Sequence, residues 1–378
     1  MLRQAARDFA MQEVLPLANR LDPEKADMPR SLIDKLAELG YFGITIAEEY
    51  GGLGLGCFEY CLIAEELSRA WMSVGSIIAR GNTFMGSQLF NAEQRAAILP
   101  RVARGEYLGA LALSEPGTGS DLASVSCRAR RDGDAWVISG NKTWCTFAEG
   151  ADFIFLLARS RPVVDPQRKH LGISAFLIDK PRGSFPPGLA GSAIPKIGYF
   201  GWKTWELAFD GLRLPATALI GKEGEAFAAF SRGLETYRAH TAARSIGLAR
   251  GALEDATRYA QERVQFDQPI ANFQAIRFKL ANMATQIEAA RQLNYHVCTQ
   301  IDQGLRCDTE AAMSKLFASE MSEQVCSDAL QILGGAGYTT HHAVERYWRD
   351  ARLTKIFEGT SEIQLKIISD RMLGKLTP

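Results

Sequence analysis

The sequence predicts a mainly α protein with a central β domain, and three observations carry that reading. Long segments after residue 226 place apolar residues at i, i+3, i+4 and i+7, the spacing of one helix face. Between about residues 107 and 225 the chain breaks into short β-rich stretches bounded by turn residues. Residues 1–106 return to helical patterning around a glycine-rich loop. The expected layout is an N-terminal α-helical domain (1–106), a small middle β domain (107–225) and a C-terminal helical bundle (226–378). A chain of 378 residues has ample material for such a composite.

Taken in order, "MLRQAARDFAMQEVLPLANRLD" reads as an amphipathic helix already under way at residue 1, and "AEEYGGLGLG" (47–56) as a loop. In the middle block, Asp132-Gly133 and Gly140-Asn141 bracket "DAWVISG", which predicts a turn at each end of one strand. Ile246, Ala249, Leu253, Ala256 and Ala260 mark the first long C-terminal helix, which should stop at Asp267-Gln268-Pro269. Ile276, Leu280, Met283, Ile287 and Ala290 mark the second. Met313, Phe317, Met321 and Val325 mark a third, which "GGAG" ends at Gly334. Ser361 and Gln364 have capping-box spacing, so a last helix should open there, with Glu358 just outside it.

Composition narrows the function classes. Lysine plus arginine equals aspartate plus glutamate, 43 each, so no global field draws the chain to nucleic acid or an anionic membrane. The longest apolar runs, such as "FIFLLA" (153–158), fall far short of the roughly 20 residues of a membrane span. No secretory signal opens the chain. Seven cysteines without a C-x-x-C pair or companion histidines at zinc spacing predict reduced thiols, no metal site and a cytoplasmic setting.

Three stretches could carry chemistry. "LSEPGTGSDLAS" (113–124) gathers hydroxyl residues and two glycines that let backbone approach a ligand closely. A plain loop has the same composition. "GNKTWCT" (140–146) places Trp144 and Thr146 two apart, on one face of a regular strand; that is either a core tryptophan or a flat wall beside a planar cofactor. "QILGGAGYTTHHAVERYWRD" (331–350) ends a helix with more glycines than a cap needs.

The ordered series "ALSEPGTGSD", "KTWCTFAEGADFIFLLAR", "ERVQFDQPIANFQAI", "QILGGAGYTTHHAVERYWRDAR" and "IFEGTSEIQ" resembles the acyl-CoA dehydrogenase family of flavoproteins over nearly the whole chain. The resemblance implies an acyl-CoA dehydrogenase-like fold, with an α-helical N-domain, a β-barrel-like middle domain and a four-helix bundle. It implies FAD between the middle and C-terminal domains of a homo-oligomer, a dimer or dimer of dimers whose cofactor site is shared between chains. Ser114 and Ser120 would then meet the flavin side and pyrophosphate region, and Trp144 and Thr146 would flank the isoalloxazine. Arg263, Phe266, Gln274, Gln331, Gly334 and Gly335 would hold the partner chain's FAD, and Thr360 and Ser361 would touch FAD at the helix start. Glu358 falls on the family's catalytic base. Ser120, Arg238 and Gly359 fall near the thioester, and an electron-transfer flavoprotein is the implied acceptor. The chemistry suits a turn residue: a base that removes a proton beside a thioester carbonyl must reach across the substrate, and the enolate needs donors aimed at its oxygen.

The acyl group is addressed by Arg80, within "SVGSIIARGNTFMG" (73–86). An arginine in an apolar segment can snorkel or pair locally. In the family this position lies toward the deep end of the acyl pocket, where a substrate carboxylate would supply its partner. "IPKIGYFGWKTWELAFDG" (194–211) and "ARQLNYHVCTQIDQGLRCDTEAAMSK" (290–315) resemble the methylsuccinyl-CoA dehydrogenase branch, whose substrate carries a free carboxylate. A short-chain monocarboxylic acyl-CoA dehydrogenase, an acyl-CoA oxidase and a non-catalytic flavin-binding scaffold are the rival readings. The sequence departs from the family motif at His341, Phe200 and Glu362, leaving the pairing of Arg346 and Arg349 open.

Overall fold

The computed structural model describes residues 1–82 and 89–374. In the first block, α1 (Leu2–Phe9) and α2 (Leu15–Leu21) join through a π turn over Ala10–Val14. Then come α3 (Arg30–Glu38), α4 (Cys57–Ala70), α5 (Met72–Ile77), α6 (Ala79–Asn82) and α7 (Ala92–Ala103). Small residues at the crossing let α4 press against the bundle. A Cβ on Gly247 would sit 2.4 Å from the Glu65 carbonyl oxygen, and one on Gly251 2.9 Å from that of Arg69. Buried ion pairs fix the same crossing: Arg69, 1% exposed, reaches Glu254 at 2.8 Å and Asp255 at 3.2 Å, and Arg250 reaches Glu65 at 2.9 Å. The N-terminal and C-terminal helices consequently share one apolar core.

The middle block contains β1 (Gly109–Ala112), β2 (Arg128–Asp132), β3 (Ala135–Thr146), β4 (Phe153–Arg159), β5 (Ile173–Asp179), β6 (Leu189–Ala193), β7 (Thr204–Pro215) and β8 (Leu219–Ile220). The sheet order is β6-β7-β3-β2-β4-β5-β8, with β1 joined in parallel to β4. The near-continuous apolar run of β4 follows from burial on both faces. Ile154, Leu156 and Ala158 enter one core while Phe153, Phe155 and Leu157 enter another. Gly133, at φ +65°, makes the expected turn between β2 and β3. The second expected turn is absent: β3 runs straight through Gly140-Asn141, and Gly140, at φ +133°, belongs to a bulge where the register with β7 shifts. A β3 side chain there would strike Cys127, whose Cα lies 2.9 Å from a Cβ built on Gly140.

The third block runs α8 (Ala226–Arg232), α9 (Leu234–Glu262), a hairpin of β9 (Val264–Gln265) and β10 (Gln268–Pro269), α10 (Gln274–Asp302), α11 (Asp308–Leu333), α12 (Val344–Thr354) and α13 (Ser361–Leu373). The pattern of α9 ends near where "DQP" predicts, and Phe266 and Asp267 turn the hairpin at φ +54° and +62°. On α11 the expected apolar face needs correction. Met321 and Val325 are buried, whereas Met313 and Phe317 are 37% and 40% exposed. The helix instead buries small residues, Ala311, Ala312, Ser314 and Ala318, together with Lys315, because it lies so close to its neighbours. All seven cysteines are free and buried. Cys57 and Cys61, one turn apart on α4, meet Cys298 of α10 with their sulfurs within 4.8 Å of one another, a grouping the sequence spacing does not show.

Candidate active site

Between α12 and α13 the backbone folds into a tight turn that aims one carboxylate. The Ser361 N–H donates to the Lys355 carbonyl at 3.0 Å and closes it. Inside the turn Glu358 sits at φ +53° and Gly359 at φ +93°. Left-handed backbone suits Gly359 but costs a glutamate about 1–3 kcal/mol, a strain that structures retain where a side chain must point one way. The cap of α13 is Thr360, whose hydroxyl accepts the Ile363 N–H at 3.3 Å. This corrects the expected Ser361 cap by one residue; Ser361 is already inside the helix and donates its hydroxyl to Glu320 at 2.6 Å. The N–H of Glu358 has no acceptor among the described residues, as a donor reserved for a ligand would.

The Glu358 side chain is 30% exposed and turns onto α9. One oxygen accepts from Arg244 Nη2 at 2.5 Å and from the Thr241 hydroxyl. Arg244 is 1% exposed, and both of its terminal nitrogens are engaged. It donates to Thr241 at 3.0 Å and to Ser76 of α5 at 2.9 Å, and its guanidinium carbon lies 4.8 Å from the Phe357 ring centre. Burial alone would lower Arg244, but the charge of Glu358 overcomes it and holds the guanidinium above its ordinary range. Sequence reading missed Arg244, Thr241 and Ser76. A signal was present, since Arg244 interrupts the small and apolar run Ala242, Ala243, Ser245, Ile246 on a helix that is buried on every side there.

Arg80 lines the same small cavity as Glu358, Arg244, Ser76, Tyr199 and Tyr237, about 40 Å³ of free space. Its guanidinium lies over the Trp202 ring, 5.2 Å from the centre, and Nη2 donates to the Thr146 carbonyl at 3.4 Å. It has no ion-pair partner among the described residues, and its Nε is buried without an acceptor. Burial pushes the guanidinium below its ordinary range, with Tyr199, Tyr237 and Glu358 only opposing that push. Thr83 to Gly86 of the same sequence stretch lie outside the described residues. Nearby, Lys315 is fully buried and donates to the Gly359 carbonyl at 2.6 Å, which braces the turn; burial pushes its amine down to about 8 against the pull of Glu358 and Glu320. Arg238 is buried one turn before Thr241 but is not among the residues lining this cavity.

Most of the remaining predicted cofactor-binding residues lie at the surface around the sheet and bundle. The strand carrying Trp144 and Thr146 is not regular: its register shifts between Lys142 and Cys145, and Trp144 takes φ +61°. The bulge leaves the indole 62% exposed, so the core-tryptophan reading falls. Thr146 bonds Thr204 at 3.0 Å and presents its carbonyl to Arg80, tying this strand end to the cavity. In the loop after β1, Glu115 is structural. It accepts from Lys142 at 2.9 Å and from the N–H groups of Ser126 and Cys127 at 2.8 Å each, while Ser114 is half-buried and Ser120 exposed. A Cβ at Gly117, Gly119, Gly334 or Gly335 would meet nothing within 4 Å. Arg263, Phe266, Gln274 and Gln331 are exposed, Phe266 by 87%. His341 pairs with neither arginine: Arg349 reaches Asp22 at 2.5 Å and Glu345 at 2.6 Å, and Arg346 donates to Asn19 at 3.0 Å. Phe200 is buried with Arg349 over its ring, and Glu362 is exposed in the first turn of α13. A separate groove of about 690 Å³ beside Ser124 is walled by Arg128, Arg130, Arg131, Arg159, Arg161 and Lys169.

A helical block, a sheet and a helical bundle meet around a part-exposed turn carboxylate, and comparison with known proteins identifies this architecture as that of a flavoprotein dehydrogenase. Family models for the N-terminal, middle and C-terminal domains of acyl-CoA dehydrogenase match residues 1–106, 110–212 and 224–373. The (2S)-methylsuccinyl-CoA dehydrogenase of Cereibacter sphaeroides is 42% identical over 381 residues, covering 99% of this chain and 69% of that one. The butyryl-CoA dehydrogenase structure from Megasphaera elsdenii superposes with a TM-score of 0.91 at 32% identity, covering 98% of this chain and 97% of that one. A glutaryl-CoA dehydrogenase from Mycobacterium smegmatis in complex with FADH2 gives 0.91 at 28% identity, covering 100% and 94%. The chain belongs to the acyl-CoA dehydrogenase family. It is an FAD-dependent oxidoreductase acting on acyl-CoA thioesters. The residues present fit that cofactor: an exposed indole on a bulge beside a threonine offers a flat face to a ring system, and the unobstructed glycines leave room for backbone to approach phosphates. No helix among the described residues is long and apolar enough to cross a membrane.

Proposed function

We propose that the chain oxidises a short acyl-CoA bearing a carboxylate on the acyl group, of the methylsuccinyl-CoA type, to its α,β-enoyl thioester. The observation that carries this reading is Arg80: a guanidinium without an ion-pair partner among the described residues, lining the cavity that Glu358 enters. A part-buried cation without a counter-charge is costly, and a ligand carboxylate would remove that cost through a bidentate pair. The names of two relatives, acting on methylsuccinyl-CoA and glutaryl-CoA, point the same way.

In this reading Glu358 removes the α proton, and its own N–H donates to the thioester oxygen as negative charge grows there. FAD, when bound, would supply an acceptor for the hydride lost from the β carbon. Ser114, Ser120, Trp144, Thr146, Thr360 and Ser361 hold it from one protomer, while the exposed Arg263, Phe266, Gln274, Gln331, Gly334 and Gly335 meet the cofactor of a second copy in a dimer or dimer of dimers. Gly359, Ser120 and Arg238 lie along the thioester, and the arginine-walled groove suits the phosphates of coenzyme A. Electrons pass to an electron-transfer flavoprotein.

Anaerobic flavin bleaching with a panel of CoA thioesters tests the substrate. Arg80→Met should lose methylsuccinyl-CoA at least about 10-fold more than butyryl-CoA, the size of one charge-assisted pair. Equal losses would sink the assignment.

A further inference from the structure

We infer that Arg244 is shared between the base and the substrate: it restrains Glu358 in the ligand-free enzyme and hands over to a substrate carboxylate, which releases Glu358 to work. The inference rests on the carboxylated-substrate reading and deepens it. Three observations carry it. First, the Glu358 carboxylate points into α9 and is bound on one oxygen by Arg244 and Thr241; a base so held must leave that pair to reach a substrate carbon. Second, charge does not balance in the cavity. Arg80 and Arg244 both line it, and among the described residues Glu358 is the one acid lining it and forms an ion pair with Arg244 alone. One further anion would give each guanidinium a carboxylate. Third, chemistry fixes where that anion sits. In a methylsuccinyl-type acyl group the carboxylate is carried by the β carbon, directly beside the carbon that the base deprotonates. A guanidinium touching the base is therefore within reach of that carboxylate.

Arg244 is equipped for the exchange. Ser76 holds Nη1 independently of Glu358, the Thr241 hydroxyl accepts from Nη2 beside the Glu358 contact, and Nε is buried without an acceptor among the described residues. The guanidinium can thus stay in place while its carboxylate changes, and it has a donor to spare. A carboxylate seated between Arg80 and Arg244 would fix the β carbon while competing directly for the Nη2 that restrains Glu358. An acyl group without a carboxylate would leave the restraint intact. Arg244 is in this sense a specificity residue, acting on the reaction through the position of Glu358.

The test uses flavin-loaded enzyme and anaerobic stopped-flow reduction. In Arg244→Gln, reduction by methylsuccinyl-CoA should fall at least about 100-fold while reduction by butyryl-CoA rises several-fold, and Arg244→Lys should recover part of the first loss. A folded, flavin-loaded Arg244→Gln protein that loses both substrates in equal measure overturns the inference and leaves the substrate reading standing. Wild type that bleaches with butyryl-CoA but with no carboxylated thioester overturns both. The wild-type protein offers a second readout should the variant fail to fold. Propionyl-CoA plus formate supplies the two halves of a carboxylated acyl group, so formate at tens of millimolar should accelerate reduction by propionyl-CoA several-fold over equal chloride. Acceleration lost in Arg80→Met supports the exchange, and no formate effect contradicts it.

Discussion

Around Glu358 each neighbour answers a specific need of the carboxylate. The left-handed backbone aims it, Arg244 and Thr241 hold it, and Lys315 braces the turn through the Gly359 carbonyl. Lys315 makes a stability prediction. Its amine titrates near 8 in the folded chain, below the ordinary lysine value, so the folded state disfavours the charged form. Between pH 8 and about 10.5 the unfolded chain binds the proton and the folded chain does not, and stability contributed by this group rises with pH. Denaturant unfolding of wild type and Lys315→Met should therefore diverge: from pH 7 to 10 wild type should gain on the variant by up to about 3 kcal/mol, the ceiling set by the size of the shift. A pH-independent difference would contradict the burial of a charged amine. Much at this scale was legible. Glu358 could be placed through the family resemblance of "IFEGTSEIQ", and Arg80 because it interrupts an apolar segment. Arg244 and Lys315 were not, because their partners are distant in sequence and only helix packing brings them together.

At the scale of elements, the site depends on two irregularities in otherwise regular structure. The turn between α12 and α13 is one. The other is β3, where the bulge at Gly140 and the register shift before Cys145 turn an ordinary alternating strand into one that exposes Trp144 and delivers the Thr146 carbonyl to Arg80. Sequence periodicity predicted β3 but misread its interior, since a glycine followed by asparagine has the same signature in a turn and in a bulge. The helices were read better than their faces: α11 was expected from Met313 and Phe317, which are exposed, because close packing at its crossings is made by alanines and serines that carry little hydrophobic signal. Gly140→Ala should cost about 1–3 kcal/mol, from the positive φ and from contact with Cys127, and lower the melting temperature by a few degrees. Flavin retention should fall with it, as the same strand carries Trp144 and Thr146. An unchanged melting curve would mean that the bulge is soft.

For the whole molecule, the helices-sheet-helices order was legible because period and turn chemistry change twice along the chain. The shared core was not, because nothing local announces that α4 will cross α9 over Gly247 and Gly251. That crossing matters to function. It places Ser76, which follows α4, against Arg244 of the bundle, so that both helical blocks and the sheet contribute to one cavity. The central claim is that this assembly exists to present Glu358 to the α carbon of a CoA thioester. The direct measurement is anaerobic flavin bleaching by methylsuccinyl-CoA in wild type and in a flavin-loaded Glu358→Gln variant. Wild type should bleach, and the variant should still bind the thioester, seen as a shift of the flavin spectrum, while bleaching about 10²–10⁴-fold more slowly. A variant that bleaches at the wild-type rate would show that another group removes the proton.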